Sequence, residues 1–508
     1  MGKQPNILFI MSDDHAANAI SYYGSRLSRF METPNIDSIA KEGAALRNCY
    51  CTNAVCTPSR ASILTGQYTH TNGVRTLYDS LNDSAVTFPA LMREKGYTTA
   101  VIGKWHLHSK PRGFDHYDIL GYPWQQGKYF DPQFLDESYD WNMELSRDVA
   151  SREYYGKEEK GYVTDIITEK AIGWLASRDQ EKPFLLLCHH KAPHDEFEYH
   201  PRYEHLFDGV DIDEPESMYE DKSKRCAGSE KFGITISEAN ERRNMVKTMT
   251  QSDYPTGSLD VTGLDSTRRM KSAYQKFIKD YLRTVKGIDD NVGRLLDYLK
   301  VSGLYEDTII IYTSDQGMLL GEHDYSDKRW IFDESMQMPF FIRVPGEVTS
   351  GGMMDELVSN VDFAPTILDY AGISKPDCMQ GYSFRKLLKG EKSPDWQKEI
   401  YYRYWLHMTH CDTPAHYGIR TRDYKLVFYY GLPLDAKGAL PEATPQGWEL
   451  YDLKKDPCEM NNVYGKKAYD EITEYLRKRL YELKEELNDS DSQYAEMKHL
   501  SLQFAPQV

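Results

Sequence analysis

Two adjacent pairs of side chains in this sequence could bind a metal ion through oxygen atoms alone. Asp13 and Asp14 form the first pair, and Asp315 and Gln316 form the second. Oxygen ligands are those that hard divalent cations such as Ca²⁺ and Mg²⁺ prefer, and no spacing of Cys and His indicates zinc. An Asp pair after a strand is more often a helix cap or a loop turn. The two pairs therefore need support from the rest of the sequence.

Residues 56–66, with the sequence CTPSRASILTG, provide that support. They resemble the signature of the sulfatase family at every constrained position. Residues 96–106, GYTTAVIGKWH, resemble the family's second signature, which ends in G-K-x-H, and the two segments stand in the family's order. A short C-x-P-S-R pattern could by itself be a surface loop with a buried cysteine. The longer match and the second segment favour a sulfatase.

The resemblance implies a modified nucleophile and a bound cation. In sulfatases a maturase oxidises the signature cysteine, here Cys56, to formylglycine. One hydroxyl of the hydrated aldehyde attacks sulfur, and the other then expels sulfate and regenerates the aldehyde. Both oxygen-donor pairs and residue 56 would bind the cation, usually Ca²⁺, with Mg²⁺ as the alternative. Many family members have Asn or His at the position of Gln316, whose longer stem keeps a carbonyl oxygen.

The resemblance also implies roles for five further side chains. Arg60 would fix the side chain of residue 56. Lys104 and Lys328 would neutralise sulfate oxygens as charge develops in the transition state. His106 would accept the proton whose loss releases sulfate, and His194 would protonate the departing sugar oxygen.

Other histidines near these positions leave the assignment of the acid open. His189, His190 and His194 follow the same apolar run, and His194 matches the family best because it follows Ala-Pro. His108 is equally consistent with a substrate contact and with packing. His15 fits a structural role better than a catalytic one.

The elements that must position these residues are four apolar runs, each ending in polar or charged residues. They span residues 7–11, 98–102, 184–188 and 308–313. Continuous apolar strands separated by helical patterns are typical of a parallel sheet covered on both faces. Sites in such sheets form beyond the carboxyl ends of the strands. We therefore expect the polar residues that follow the four runs to meet at one edge.

The helical and strand patterns predict two domains. Helices are expected at 33–43, 164–177, 273–302 and 470–487, and C-terminal strands at 399–405, 417–430 and 448–453. We predict an α/β catalytic domain over 1–394, with a large, mixed, mostly parallel sheet sandwiched by helices as in alkaline phosphatase. Residues 395–508 would form a smaller α+β domain with an antiparallel sheet and a closing helix. The polar segment 196–265 is expected to form loops near the mouth of the site.

Composition limits the classes of partner. The chain has 508 residues, 13% of them aromatic, and a net charge of −17, which suits a globular enzyme. A negative field repels polyanions, so no nucleic-acid partner is expected. The same field favours a small, locally positive pocket over a long groove for polysulfated chains.

The sequence predicts neither a membrane span nor a disulfide framework. No stretch approaches the ~20 apolar residues that a span requires. No leader precedes the first apolar run, so we expect a periplasmic or secreted protein if a signal peptide has been removed and a cytoplasmic protein otherwise. The eight cysteines are scattered along the chain and leave the compartment open.

Residues 405–422 are rich in His, Arg and aromatic side chains, a composition that suits a carbohydrate subsite. The candidate substrate-binding residues are His407, His410, His416, Arg420 and Arg422, together with His108. A β-hairpin with a few buried histidines is the alternative reading. The segment resembles bacterial N-acetylglucosamine-6-sulfatases of the mucin- and heparan-degrading type. The first expectation is therefore exo-acting removal of sulfate from 6-O-sulfated N-acetylglucosamine.

Three alternatives remain open at this point. Within the class, the substrate could be a 4-O- or 6-O-sulfated galactose or N-acetylgalactosamine. The fold and metal pocket also serve phosphodiester and phosphonate hydrolases, and a fold alone does not separate these activities. A noncatalytic protein that binds sulfated glycans is the third alternative, although no element of the site is missing from the sequence.

Overall fold

The computed structural model describes residues 4–240, 242–348 and 351–504. Its centre is a ten-stranded sheet in the order β10-β2-β9-β8-β1-β7-β3-β4-β5-β6. The strands are β1 Asn6–Ser12, β2 Ala44–Tyr50, β3 Thr98–Gly103, β4 His116–Leu120, β5 Gln133–Leu135, β6 Lys157–Glu158, β7 Phe184–His189, β8 Thr308–Ser314, β9 Phe340–Arg343 and β10 Met353–Ser359. Residues 1–3, which the leader prediction includes, lie outside the described residues.

The four predicted strands form the parallel middle of this sheet. β1 pairs in parallel with β7 and β8, and β7 pairs in parallel with β3. Alternate residues of β1 enter different cores: Phe9 packs in the cluster on one face, and Leu8 and Ile10 pack in the cluster on the other. Both faces are thus covered, which is why the strands read as continuous apolar runs.

Helices cover both faces of the sheet. They are α1 Pro34–Lys41, α2 Cys56–Thr65, α3 Thr69–Asn72, α4 Phe88–Glu94, α5 Trp141–Leu145, α6 Val163–Ser177, α7 Met245–Met249, α8 Ser266–Val301, α9 Asp333–Met336, α10 Phe363–Tyr370, α11 Arg385–Leu388, α12 Asp470–Glu486 and α13 Ala495–Phe504. α1 and α6 pack against α8 on one face, whereas α2 and α4 contact α10 on the other. The helix predicted at 273–302 begins earlier because Asp265 accepts a hydrogen bond from the Arg268 backbone N at 2.8 Å.

A separate four-stranded antiparallel sheet lies in the C-terminal region. Its strands are β11 Glu399–Tyr404, β12 His416–Thr421, β13 Tyr424–Tyr429 and β14 Gly447–Asp452, in that order. Leu476 and Leu480 of α12 pack into the core of this sheet. The predicted fold class is confirmed. The run read as 417–430 is two strands of a hairpin, and the domain boundary at 394/395 stays a prediction.

Segment 196–265 contains little regular structure apart from α7 and short 3₁₀ turns. Its apolar residues, among them Phe197 and Ile236, pack with Phe277 and Tyr281 of α8. The segment is therefore anchored on the longest helix rather than forming a unit of its own. No helix among the described residues is both long and apolar enough to cross a membrane.

Candidate active site

The two oxygen-donor pairs meet where β1 and β8 end side by side. Ser12 is in register with Ser314, so the residues that follow both strands emerge together. The Asp14 backbone N donates to Asp315 Oδ1 at 3.1 Å, and the Asp13 backbone N donates to the Ala192 carbonyl at 3.2 Å. Parallel register therefore brings together residues that are far apart in the sequence.

Three carboxylates and one amide form the centre of this cluster. Oxygen atoms of Asp13, Asp14 and Asp315 lie within 4.8 Å of one another, and all three residues are fully buried. Asp13 Oδ1 and Gln316 Oε1 are buried without a hydrogen-bond partner in the described part of the chain. Burial and the charge of Asp13 raise the pKa of Asp315 to about 8. Crowded carboxylates with unsatisfied oxygens fit a hard divalent cation such as Ca²⁺.

Three basic side chains partly compensate these carboxylates. Lys104 Nζ contacts Asp13, Lys328 Nζ contacts Asp14, and Arg60 Nε donates to Asp315 Oδ2 at 2.9 Å. Burial by itself would raise the pKa of Asp13, but the charges of Lys104, His194 and Arg60 outweigh it. The pKa of Asp13 is held well below its usual value. Asp13 therefore stays ionised, as a cation ligand must.

Cys56 begins α2 beside this cluster. Its Sγ lies 3.5 Å from Gln316 Nε2. The same Sγ lies within 4.8 Å of a carboxylate oxygen of Asp13 and of a ring nitrogen of His194. Burial and the negative charge of Asp13 raise the pKa of the Cys56 thiol. A thiol that stays protonated is a poor nucleophile, so Cys56 is not placed to react as a thiolate. α2 is followed by Gly66, whose φ of +63° suits a residue without Cβ.

His106 and His194 lie close to the cluster but in different environments. His106 is buried, and neither of its ring nitrogens has a hydrogen-bond partner within the described residues. Burial and the charge of Lys104 hold the pKa of His106 well below its usual value, so the imidazole is neutral. His194 Nε2 lies 3.7 Å from Asp14 Oδ2, and Nδ1 contacts Asp195.

The other histidines considered from the sequence have structural partners. His189 Nδ1 lies 3.2 Å from the Lys104 carbonyl, and His190 Nε2 lies 3.9 Å from Cys188 Sγ. His108 Nε2 lies 3.1 Å from the Leu77 carbonyl, and His15 Nδ1 lies 2.6 Å from the Tyr312 hydroxyl. None of these four histidines lines the cavity next to Cys56.

That cavity has a volume of about 580 Å³. Its inner end is lined by four of the six proposed catalytic residues: Cys56, His106, His194 and Lys328. Trp124 and the aliphatic side chain of Leu77, both half-buried, line its wall. A cavity with charged groups at its inner end and an aromatic side chain on its wall suits a small polar ligand with an apolar face.

The structure separates the candidate sugar-binding residues of segment 405–422. His410 lines the cavity, and its Nε2 lies 2.7 Å from the Tyr78 hydroxyl. His407, His416 and Arg420 are buried elsewhere, and Arg422 is exposed in the β12–β13 turn. None of these four residues lines the cavity. His407 accepts from the Ala415 backbone N at 3.0 Å, and His416 stacks against Trp330 and Tyr402. Arg420 pairs with Asp333 at 2.8 Å.

Several cavity residues carry no sequence motif. Segment 196–265 contributes Arg242, Arg243, Lys247 and Tyr254, while Trp124 comes from the loop after β4. For the first four, the only signal in the sequence was the irregular, polar character of segment 196–265, which predicted its place near the site mouth but not which residues face inward.

The parallel sheet, the oxygen-donor cluster and Cys56 at the inner end of a cavity together define a hydrolase of the alkaline phosphatase superfamily. The chain belongs to the sulfatase family: the family model "Sulfatase" matches residues 5–373, and the model "N-sulphoglucosamine sulphohydrolase, C-terminal" matches residues 321–486. It is a sulfatase, an enzyme that hydrolyses sulfate esters.

Among known proteins, it is 39% identical to an N-acetylglucosamine-6-O-sulfatase from Bacteroides thetaiotaomicron, over 96% of this chain and 88% of that protein. A structure solved in complex with its substrate, D-glucosamine-2-N,6-O-disulfate, matches with a TM-score of 0.84 and 37% identity, covering 96% of this chain and 99% of the other. A phosphonate monoester hydrolase from Silicibacter pomeroyi matches with a TM-score of 0.71 and 21% identity, covering 95% and 96%. The last similarity shows the fold alone.

Proposed function

We propose that this sulfatase hydrolyses sulfate esters of carbohydrates, and specifically removes the 6-O-sulfate of terminal N-acetylglucosamine in mucin-type or heparan-type glycans. The observation that carries the proposal is the position of Cys56 at the inner end of the cavity, in a chain 39% identical to a sulfatase of that specificity along 96% of its length. A cavity of about 580 Å³ supports exo action on a terminal sugar better than binding within a long chain.

The nucleophile is proposed to be formylglycine, produced from Cys56 by a maturase. The raised pKa of the thiol argues against direct attack by sulfur, whereas a hydrated aldehyde supplies two hydroxyls at the same position. One forms the bond to the sulfate sulfur as the sugar oxygen leaves. Loss of the proton from the other expels sulfate and restores the aldehyde, so no water has to attack a negatively charged ester.

The cation is proposed to be Ca²⁺, with Mg²⁺ as the alternative. Asp13, Asp14, Asp315 and Gln316 would hold it together with residue 56, and the unsatisfied Asp13 and Gln316 oxygens are the donors it would need. When bound, it supplies positive charge that lowers the pKa of a neighbouring hydroxyl and screens the sulfate. Ca²⁺ accepts more oxygen ligands and less regular geometry than Mg²⁺ does.

The remaining polar residues are proposed to move protons and neutralise charge. Lys104 and Lys328 would bind sulfate oxygens, and His106, neutral and without a partner, would accept the proton that triggers sulfate release. His194, which lines the cavity, would donate a proton to the leaving sugar oxygen. Arg60 would position residue 56 indirectly, since it contacts Asp315 and donates to the Lys104 carbonyl at 2.7 Å.

The test is sulfate release from a panel of monosulfated sugars that differ in ring and sulfate position, using protein coexpressed with a maturase. Mass analysis of the peptide 48–60 would establish conversion of Cys56. We expect release from 6-O-sulfated N-acetylglucosamine and much slower release from galactose and N-acetylgalactosamine sulfates. Preference for a galactose sulfate would contradict the proposed specificity. Phosphodiester hydrolysis without any sulfate release would contradict the proposed reaction.

A further inference from the structure

Part of the cavity wall carries exposed basic side chains that the chemistry at Cys56 does not use. Arg242, Arg243 and Lys247 line the cavity and are solvent-exposed. Within the described residues, no ion pair with a carboxylate is found for Arg242 or Lys247, and Arg243 Nε comes only within 3.9 Å of Asp412 Oδ1. The chain as a whole has a net charge of −17. This wall therefore has the opposite sign to the overall field.

The acidic residues of the cavity are mostly paired with other groups. Asp195 contacts His194, and Asp327 accepts from Arg329 Nε at 2.8 Å. Glu196 is the third carboxylate of the cavity, and burial together with the charge of Asp195 raises its pKa. Positive charge therefore predominates on the outer wall and is available to a ligand.

Hydrogen bonds fix this wall relative to the inner end of the site. The Thr235 backbone N donates to the Arg243 carbonyl at 3.2 Å, and the Ile236 backbone N donates to the Asp324 carbonyl at 3.0 Å. Asp324 belongs to the same loop as Lys328. A ligand whose sulfate lies at Lys328 would thus meet the basic side chains at a fixed separation, without first ordering a loop.

We propose that Arg242, Arg243 and Lys247 form a second anion subsite that favours sugars with another negative group close to the scissile sulfate. The inference rests on the proposed function and adds a substrate class: amino sugars that carry a second sulfate, or that are joined to a uronic acid. Guanidinium groups bind sulfate and carboxylate oxygens through paired hydrogen bonds. A single sulfate ester at the inner end leaves this wall without an anionic partner.

The experiment compares three substrates: 6-O-sulfated N-acetylglucosamine, 2-N,6-O-disulfated glucosamine, and a disaccharide of 6-O-sulfated N-acetylglucosamine and uronic acid. The triple variant R242A/R243A/K247A is measured beside the wild type. A matched control, K454A/K466A/K467A, removes the same charge from exposed lysines that do not line the cavity. Hydrolysis of an aryl sulfate reports the chemistry at residue 56 independently of sugar recognition.

We expect the triple variant to lose roughly tenfold or more in kcat/KM, mainly through KM, on a substrate with the extra anionic group. Loss on the monosulfated sugar should be about twofold, and the control should behave as the wild type. A greater loss on the disulfated sugar identifies sulfate as the second group, and a greater loss on the disaccharide identifies carboxylate. High salt should reduce the preference of the wild type, because these side chains are exposed.

Equal losses on all three sugars, or a wild type with no preference for the extra charge, would overturn the inference and leave the proposed function standing. Hydrolysis of the aryl sulfate without turnover of any sugar would instead overturn the proposed function, and the subsite with it. Retention of the preference at high salt would also contradict an electrostatic origin.

Discussion

Two buried clusters of charged side chains in this protein are built in different ways. At the carboxyl ends of β1 and β8 in the large sheet, Asp13, Asp14 and Asp315 crowd together. The Asp13 Oδ1 atom has no hydrogen-bond partner among the described residues. In the C-terminal region, Arg403 pairs with Asp489 behind a shell of aromatic rings. The Arg403 guanidinium lies 3.6 Å from the ring centroid of Trp405.

The difference shows how a functional cluster can be told from a structural one. Burying charge is costly in both places, so burial by itself does not distinguish them. The cluster of Asp13, Asp14 and Asp315 adjoins the cavity through Cys56 and Lys328. It keeps oxygen atoms without a hydrogen-bond donor, which a bound cation could satisfy. The C-terminal cluster is closed by Trp405 and by further ring contacts of Arg403 with tyrosines. We therefore expect changes in the first to affect turnover and changes in the second to affect stability.

The largest expected effect is that of Cys56→Ala. It should reduce sulfate release by on the order of 10⁴-fold or more, because it removes the proposed nucleophile. The unfolding temperature should stay close to that of the wild type, since the substitution removes one buried sulfur atom. Steady-state rates and thermal unfolding of the same preparation measure both. Turnover near the wild-type rate would refute a nucleophile at residue 56.

Arg403→Met should have the next largest effect, on stability rather than on turnover. It leaves Asp489 buried without its guanidinium partner, which should cost about 3–5 kcal/mol of unfolding free energy. The specific activity of the folded fraction should be unchanged. Chemical denaturation measures the loss. Arg479→Met, which removes an arginine paired with Glu399 nearer the surface, serves as the control and should cost about 1 kcal/mol or less.

Asp14→Asn should lower kcat/KM roughly 10²- to 10³-fold and weaken the response to Ca²⁺. Saturating Ca²⁺ should raise the unfolding temperature of the wild type, since a ligand at a hundred times its Kd adds about 2.7 kcal/mol. Differential scanning calorimetry measures the shift. Asp489→Asn removes a buried carboxylate from the other cluster and should keep the full Ca²⁺ response. The absence of any response in the wild type would contradict the cation site.

His194→Ala should lower turnover of sugar sulfates about 10²-fold and that of aryl sulfates less, because a phenolate leaves without protonation more readily than a sugar alkoxide. The ratio of kcat on the two substrate types is the measurement. Equal losses on both would assign the acid to another group. His189→Ala is not a suitable control, because His189 is buried against Lys104.

The smallest expected effect is a pH dependence of stability from the C-terminal cluster. Burial alone would raise the pKa of Asp489, but the charges of Arg403 and Lys484 lower it below its usual value. A lowered carboxyl pKa contributes stability above the pKa of the unfolded state, near 4, and this contribution is lost as the pH falls further. Unfolding temperatures measured from neutral pH down to about 3 should therefore fall less steeply for Asp489→Asn. Parallel curves would refute this contribution.

The fold and the inner end of the site were predictable because their signals are local. The strands Asn6–Ser12 and Thr308–Ser314 contain the continuous apolar runs 7–11 and 309–312, and their parallel register then places Asp14 beside Asp315. The motif at Cys56 adds the nucleophile by resemblance. One local signal was missed: the turn at Arg422 divides the run 417–430 into two strands.

The outer wall was not predictable, because composition does not reveal which way a side chain faces. His407 and His416 come from a segment rich in polar and aromatic residues, yet both are buried and have partners away from the cavity. Arg242 and Lys247 lie in a stretch without periodicity and face the cavity. Their position depends on long-range packing against α8 and on backbone bonds to the loop at Asp324, neither of which leaves a periodic pattern.

The burial of Cys56 sets an order of events in the biogenesis of the enzyme. All ten residues of α2 are buried, so a second enzyme cannot seat this segment in its own active site once the protein has folded. The proposed oxidation of Cys56 would therefore have to precede folding and would compete with it in time. The bond from the Asp14 backbone to Asp315 spans 301 positions, and β8, one of the two strands beside β1, is complete only when Ser314 has been synthesised. Until then the contact between Asp14 and Asp315 beside Cys56 cannot form, which would leave time for the proposed oxidation.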